Sequence, residues 1–127
     1  MKVKAIEYVE WKCANKPGML AYYAKEFKKR GVDLECLWCG DYGLAASAKN
    51  PAKLRAALKN LKAKFKSGYC VMATGANKRG ALTDLLDRFA KAKVNIAAAD
   101  ALATGGKFSS TFCVSGKDWS RAKKFLS

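Results

Sequence analysis

The chain has 127 residues, 50% of them hydrophobic and 11% aromatic, which is enough to bury a real core and excludes disorder throughout. Its 25 Lys and Arg against 10 Asp and Glu give a net charge of +15, and it has no His. The lack of His excludes Ser-His and Cys-His catalytic pairs and His metal sites. Since no apolar run reaches the roughly 20 residues of a membrane helix and the charged N-terminus is not a secretory signal, we expect a cytoplasmic protein without membrane contact.

The first half of the chain predicts strands and helices in a β-α-β-β-α order. Apolar residues at i, i+3, i+4 and i+7 give one stripe on a first helix, which Gly31 is expected to end. Asn50-Pro51 is a typical start for a second helix. The elements are a strand 3–13, the helix with Leu20, Tyr23, Ala24 and Phe27, strands 32–39 and 44–48 around a Gly40–Gly43 turn, and a helix 51–65 with Leu54, Ala57, Leu58, Leu61 and Phe65.

The second half repeats this order after a hinge predicted at Lys66-Ser67-Gly68. The helical stripe has the same spacing as in the first half, and Gly105-Gly106 forms the turn between the last two strands. The elements are a strand 69–74, the helix with Leu82, Leu85, Leu86 and Phe89, strands 94–103 and 107–114, and a helix from residues 116–118 with Trp119, Ala122 and Leu126.

The two halves also match in sequence when the chain is shifted by 62 residues. Seven of the twenty residues in 15–34 are then identical to those in the second half. Asn15-Lys16-Pro17-Gly18-Met19-Leu20 falls on Asn77-Lys78-Arg79-Gly80-Ala81-Leu82. An internal repeat of this kind predicts two copies of one structural unit, 1–66 and 67–127.

The order β-α-β-β-α is typical of a ferredoxin-like half in an α+β protein, with an antiparallel sheet covered by helices on one face. No segment is evident for the usual fourth strand, which would leave the first strand of each repeat as an exposed edge. Pairing strand 3–13 with strand 69–74 would join both repeats into one sheet of about six strands. Exchange of strands between the repeats is the alternative.

The turn Asn15–Leu20, between the first strand and the first helix, resembles the Asn-x-Pro-Gly-x-Leu turn of ACT domains. Gly31-Val32-Asp33-Leu34 resembles the segment that opens their second strand, and Val94-Asn95-Ile96 matches it in the second repeat. The resemblance therefore covers nearly the whole chain as two tandem copies.

Membership of this family would imply a regulatory module that binds a small ligand, most often an amino acid, between two such domains. The turn would offer backbone N–H groups, and the residue opening the second strand of the neighbouring domain would add a side chain. A Gly lets a ligand approach the backbone, and a helix N-terminus suits a carboxylate. The predicted ligand-binding residues are Asn15, Lys16, Pro17, Gly18, Met19, Leu20, Asp33, Asn77, Gly80, Ala81, Leu82 and Asn95.

The two sites are not expected to be equivalent, because the repeats differ at key positions. Arg79 replaces Pro17, and Asp33 stands where the second repeat has Asn95. Asp33 would favour an ammonium group and repel an anion, whereas Asn95 tolerates a carboxylate. The first turn combined with Asn95 is therefore the expected better site, within one chain or across a dimer. The alternative is that each turn only caps its helix.

The five cysteines do not predict a metal or redox site. Cys36 and Cys39 form a C-x-x-C, but residues three apart on a strand point to opposite faces, and no second pair completes a zinc site. We expect all five (Cys13, Cys36, Cys39, Cys70 and Cys113) to be reduced and buried. No catalytic residue, metal or cofactor is predicted.

Binding of nucleic acid through a basic helix 51–66 is the alternative function. Residues 42–83 contain nine Lys and Arg and no Asp or Glu, and such a charge attracts phosphate backbones. Related sheets stack bases on strand aromatics, and Phe108 and Phe112 would share one face of strand 107–114. Core packing is the alternative for these two residues.

The sequence also indicates protein partners. Strand 3–13 is apolar on both faces, and since helices cover one of them, we expect a homodimer or larger assembly. Tyr8, Trp11, Trp38 and Trp119 are expected in the core rather than in a pocket. A regulatory module without an effector domain would act in trans on an enzyme or a transcription factor.

Overall fold

The computed structural model describes residues 1–40 and 43–125. Its elements follow the predicted order, with short 3-10 turns on both sides of the last helix. The strands are β1 (Lys2–Trp11), β2 (Leu34–Gly40), β3 (Gly43–Ala48), β4 (Phe65–Ala76), β5 (Ile96–Thr104) and β6 (Lys107–Val114). The helices are α1 (Met19–Lys29), α2 (Pro51–Asn60), α3 (Ala81–Lys91) and α4 (Trp119–Ala122).

The strands form one six-stranded sheet in the order β2-β3-β1-β4-β6-β5. The hairpins β2–β3 and β5–β6 are antiparallel, as are the pairs β1–β3 and β4–β6. This is the predicted α+β, ferredoxin-like architecture, and the expected neighbourhood of the first strand and the strand after the second helix is confirmed.

The missing fourth strand is supplied by the two long strands in the middle of the sheet. The chain divides into two compact units, Glu7–Gly68 and Met1–Ile6 with Tyr69–Ser127. The first unit contains the start of β4 in addition to its own three strands, and the second contains the start of β1. Each unit therefore has four strands although each repeat encodes only three, and both divisions between the units fall inside a strand.

The prediction of a helix over 51–65 followed by a hinge is wrong. Helix α2 ends at Asn60 because Lys62 takes a left-handed conformation with φ of 59° and turns the chain. Phe65 then opens β4 and packs, half-buried, against the core of its unit. Lys66-Ser67-Gly68 continue that strand, so the basic segment 51–66 is a helix only over its first ten residues.

Two predicted features involve residues outside the described ranges. Asp41 and Tyr42 of the Gly40–Gly43 turn are among them, as is Leu126 of the last helical stripe. The turn at Gly105-Gly106 is described, and its φ angles of 58° and 76° are the pair of positive values that a type I′ hairpin turn requires.

The core of the unit Glu7–Gly68 lies between its strands and the helices α1 and α2. Trp11 and Phe27 are fully buried and their rings meet edge to face, with centroids 5.7 Å apart. Leu54 and Leu58 of α2 close the cluster. Tyr23 and Phe27 of the predicted stripe on α1 are buried, but Leu20 of the same stripe is exposed.

The core of the other unit is built in the same way from α3 and α4. Phe89 is buried and contacts Phe112 edge to face at 5.7 Å, while Val71 and Leu85 complete the cluster. Ala122 of α4 is fully buried in it. Phe89 and Phe27 are 62 residues apart, so the repeat in the sequence is a repeat of core positions.

Lys93 and Gly31 occupy equivalent positions after α3 and α1 and share one conformation. Gly31 has φ of 70° and Lys93 has φ of 59°. The N–H of the next residue then returns to the helix in both repeats, Val32 to the carbonyl of Phe27 and Val94 to that of Phe89, both at 3.0 Å. Helix α3 therefore ends in the same way as α1, although the second repeat has Lys93 in place of the Gly that indicates this end in the first repeat.

We expect the substitution Lys93→Gly to stabilise the protein by about 1 kcal/mol, because a left-handed residue with a side chain carries a steric cost that Gly avoids. Urea unfolding of the variant and the parent measures the difference. Lys91→Gly, within α3, is the control and should destabilise by a similar amount. A Lys93→Gly variant less stable than the parent would contradict the assigned backbone conformation.

Candidate functional site

The first predicted turn is an exposed helix start with no side-chain cap. Gly18 precedes α1 with φ of 90°, and a side chain built there would meet nothing within 4 Å. Its carbonyl accepts the N–H of Tyr22 at 2.9 Å, and the N–H of Met19 donates to Lys16 at 3.4 Å. Asn15 to Gly18 are exposed, as is Leu20.

The second turn has the same geometry in spite of the replacement of Pro17 by Arg79. Gly80 precedes α3 with φ of 87° and also faces open space. Its carbonyl accepts the N–H of Asp84 at 2.9 Å, and Ala81 donates to Lys78 at 3.1 Å. The helix again starts without a side-chain cap. The conformation of the turn therefore depends on the Gly and not on the Pro.

Asp33 and Asn95 do not join the turn of their own unit. Each follows the C-terminal end of the helix whose N-terminal end carries the turn. Since α1 and α3 have 11 residues each, about 16 Å of helix separates the two parts. A site that uses a turn together with Asp33 or Asn95 must therefore take them from different copies of the unit.

The backbone at Asn95 is fixed by the buried carboxylate of Asp118. Asp118 is only 3% exposed and accepts the backbone N–H of Asn95 at 2.8 Å. It also accepts the hydroxyl of Ser115 at 3.0 Å and forms an ion pair with Arg121. The hydrogen bond from Asn95 is the main cause that holds the pKa of Asp118 below its usual range, and the other two contacts act in the same direction.

We expect Asp118→Asn to destabilise the protein at neutral pH and to lose this effect in acid. Because the pKa of Asp118 is lower in the folded state, its contribution is present above its unfolded pKa of about 3.9 and is lost as the pH falls through the folded value. Urea unfolding near neutral pH and near pH 3 should show the two proteins converging. An unchanged difference would contradict the assigned contacts.

A cavity of about 330 Å³ adjoins the second turn, lined by Met1, Gly75, Ala76, Lys78, Arg79, Ala81, Asp84 and Phe108. A cavity of about 440 Å³ shares Met1, Gly75, Ala76 and Phe108 with it and extends to the hairpin at Gly105-Gly106. Of the predicted site residues, Ala81 lines the first of these. Sequence reasoning missed Gly75, Asp84 and Phe108, and the one available signal was the basic pair Lys78-Arg79 inside the turn.

A third cavity of about 340 Å³ lies at the opposite end of α1, in the unit Glu7–Gly68. It is lined by Ala24, Phe27, Lys28, Gly31, Val32, Asp33, Leu34 and Lys49. Asp33 thus faces a groove with two ammonium groups and an apolar wall. Residues 15–20 line none of these three cavities.

The cysteines are less uniformly buried than expected. Cys70 and Cys113 are buried and occupy opposite positions in the register of β4 and β6, without a disulfide bond between them. Cys13 and Cys36 are half-buried. Cys39 is exposed, which corrects the expectation for that residue, because its strand lies at the edge of the sheet. Over residues 1–40 and 43–125, no three His, Cys, Asp or Glu side chains form a group suited to a metal ion.

Phe108 and Phe112 cannot stack nucleic-acid bases, because both are buried in the helix-covered core. The basic residues of 49–66 are mostly exposed, although Arg55 forms an ion pair with Glu7. Trp11 is in the core as expected. Tyr8 and Trp38 are half-buried and touch each other, and Trp119 stacks on the exposed Tyr69.

Comparison with known proteins gives structural matches alone. No protein-family model and no curated protein matches the chain. Protein BT0572 from Bacteroides thetaiotaomicron has a TM-score of 0.79 at 20% identity over 96% of this chain and 89% of that one. The ligand-free regulatory subunit of aspartate kinase from Thermus thermophilus has a TM-score of 0.68 at 14% identity over 97% and 94%.

The same fold occurs as part of a larger enzyme. Aspartokinase III of E. coli, in complex with lysine and aspartate, matches with a TM-score of 0.59 at 15% identity over 91% of this chain and 29% of that one. The chain therefore has the fold of aspartate kinase regulatory subunits.

None of the helices in the described ranges is long and apolar enough to cross a membrane.

Proposed function

We propose that this protein is a non-catalytic regulatory module of two ACT-like repeats that binds a small ligand, an amino acid, between copies of the repeat. The observation that carries the proposal is the pair of matched turns, each with an exposed Gly at positive φ before an uncapped helix. The shared fold with regulatory subunits of aspartate kinase supports it. The ACT-like sequence of both turns points to the same ligand class.

The chemistry of the turns suits the carboxylate of an amino acid. A helix start without a side-chain cap leaves backbone N–H groups to bind an anion, and the helix dipole adds to the attraction. At the second turn, Lys78 and Arg79 add positive charge to a cavity large enough for a small ligand, and Asp84 offers a partner for an ammonium group. Both charges of an amino acid thus find a counterpart there.

The second turn is the better supported of the two, because a cavity adjoins it. The first turn combined with Asn95 remains a prediction. The candidate residues of the first repeat are Asn15, Lys16, Pro17, Gly18, Met19, Leu20 and Asp33, and those of the second repeat are Asn77, Gly80, Ala81, Leu82 and Asn95. A turn that binds a ligand would take its strand-opening residue from another copy of the repeat, since the helix keeps Asp33 and Asn95 away from the turn of their own repeat.

Regulation would act in trans on a partner such as an enzyme or a transcription factor. The regulatory subunits of aspartate kinase that share the fold favour an enzyme as that partner. Asp84 is the acidic residue among those that line the cavity of about 330 Å³ beside the second turn.

A thermal-shift screen of the whole chain against single amino acids tests the proposal. A ligand at about 100 times its dissociation constant adds roughly 2.7 kcal/mol of stability, which is a shift of several degrees for a protein of this size. We expect one or a few amino acids to give such a shift. A screen without any shift, together with binding to both heparin and DNA that weakens steeply with salt, would instead support the nucleic-acid alternative.

A further inference from the structure

An aromatic pair is partly exposed where α4 packs on the sheet. The rings of Tyr69 and Trp119 are stacked, with centroids 5.1 Å apart and planes inclined by 13°. Trp119 is half-buried and packs against the core of its unit, whereas Tyr69 is 47% exposed. Trp119 therefore covers one face of the Tyr69 ring, and almost half of the surface of Tyr69 stays open to solvent.

The fold does not require an aromatic pair at this place. Tyr69 falls on Glu7 when the chain is shifted by 62 residues. The two strands match in structure at this shift, because Val9 and Val71 are both buried. In the first unit, the carboxylate of Glu7 forms an ion pair with Arg55 of α2. An ion pair thus joins strand and helix in one unit, and a stack of two rings joins them in the other.

The position of Trp119 is fixed by the buried carboxylate of the residue before it. Asp118 accepts the backbone N–H of Asn95 at 2.8 Å and forms an ion pair with Arg121. The guanidinium of Arg121 also donates to the carbonyl of Lys93 at 3.0 Å. These contacts tie the start of α4 to the segment between α3 and β5. An aromatic surface that is already in place binds a ligand at a small cost in conformational entropy.

Three Lys flank the aromatic pair in the sequence and make its surroundings positive. Lys117 lies two residues before Trp119, and Lys123 and Lys124 follow Trp119 by about one helical turn. All three Lys are exposed. The negative charge of Asp118 lies between them, but this residue is only 3% exposed. The surroundings of the pair therefore attract anions and repel cationic ligands.

We infer that Tyr69, supported by Trp119, is a platform on which an unpaired nucleobase stacks, while the three Lys bind the phosphates. An aromatic ring stacks on any base, and cations beside it bind the phosphate backbone. A neutral sugar would leave the positive charge without a counterpart, and an acidic peptide would leave the ring without one. Bases inside a duplex are covered by their neighbours, so the site fits a nucleotide or a single strand. The platform shares no residue with the two turns.

Fluorescence anisotropy of the whole chain with a labelled single-stranded DNA of about 12 nucleotides tests the platform. Tyr69→Ala should weaken binding about fivefold or more, because the stacking on one base is lost, and Tyr69→Phe should bind like the parent. Tyr22→Ala is the matched control and should also bind like the parent, since Tyr22 is 44% exposed and contacts another ring on α1.

A parent that does not bind the strand, or a Tyr69→Ala variant that binds as tightly as the parent, would overturn the inference. If thermal melting shows that Tyr69→Ala does not fold, Tyr69→Leu decides the same question, because it keeps an apolar side chain without a ring.

The salt dependence of binding tests the role of the Lys. Lys123→Ala/Lys124→Ala should reduce the slope of log affinity against log salt by roughly 1.4, which corresponds to two phosphate contacts with a single strand. Lys53→Ala/Lys59→Ala removes the same charge from exposed positions of α2 and should leave the slope unchanged. The reverse pattern would place the strand on α2 and overturn the inference.

Competition with unlabelled molecules identifies the source of the base. Displacement of the strand by adenosine monophosphate at concentrations near the dissociation constant of the strand assigns the platform to free nucleotides. Displacement at much higher concentrations alone assigns it to single strands, in which several phosphates act together. If poly-glutamate displaces the strand as well as unlabelled DNA does, charge alone explains the binding and the inference is overturned.

Discussion

Phe27→Ala and Phe89→Ala are each expected to destabilise the protein by about 3–5 kcal/mol, because removal of a buried aromatic ring loses its transfer free energy and leaves a cavity. Phe27 is fully buried and Phe89 is 1% exposed. Each substitution also removes an edge-to-face contact, that of Phe27 with Trp11 or that of Phe89 with Phe112. The free energy of unfolding in urea measures both effects.

The matched control uses the same helices. Leu20 and Leu86 are 44% and 42% exposed, so their replacement by Ala should cost well under half as much as the loss of the buried Phe on the same helix. Equal losses for the exposed and the buried positions would contradict the assignment of the two helical faces.

Gly80→Val is expected to weaken amino-acid binding at least tenfold, which is a loss of about 1.4 kcal/mol or more. A β-branched residue does not tolerate φ of 87°, so the turn must change shape and its N–H groups must leave their positions. The same strain costs roughly 1–2 kcal/mol of stability. Calorimetric titration gives the affinity, and thermal melting gives the stability.

Gly18→Val is the matched comparison, because Gly18 has nearly the same φ, the same open space and the same place before a helix. It should cost a similar amount of stability. Binding that survives in Gly18→Val but not in Gly80→Val assigns the site to the second turn, and the reverse result assigns it to the first. If both variants bind as well as the parent, neither turn holds the ligand.

The sequence predicted the element order and most of each helical face because both depend on local patterns. Apolar residues at helical spacing mark Leu54, Leu85 and Phe89, and all three are buried. The same spacing also marks Leu20 and Leu86, and the prediction is wrong for these two residues because both are exposed. The internal repeat made the overall architecture predictable, since two matched copies restrict the possible folds far more than one. The end of α3 at Lys93 was not predicted, because the left-handed conformation that ends the helix there is normally indicated by a Gly.

The sharing of β1 and β4 could not be predicted, because it depends on pairing between distant segments. Strand β4 begins at Phe65, where the apolar pattern of α2 continues and hides the change from helix to strand. The prediction of the hinge at 66–68 failed for this reason. A strand that serves two units has no local signature beyond its length.

The candidate site was predicted only in part. Both turns have a motif, and each has the conformation that its Gly implies. The cavity beside the second turn depends on Gly75 and Phe108, which come from strands that the sheet brings to the turn. The support of Asn95 by Asp118 joins residues 23 positions apart, and no pattern in the sequence connects them.

Calorimetric titration at low and at high salt is the direct test of whether this chain binds a small amino-acid ligand stoichiometrically. The titrant is the amino acid that gives the largest shift in the thermal screen. We expect saturable binding of one ligand per chain with an affinity that changes little with salt. Absence of saturable binding for every amino acid, or an affinity that falls steeply as salt rises in the way of a polyanion ligand, would contradict it.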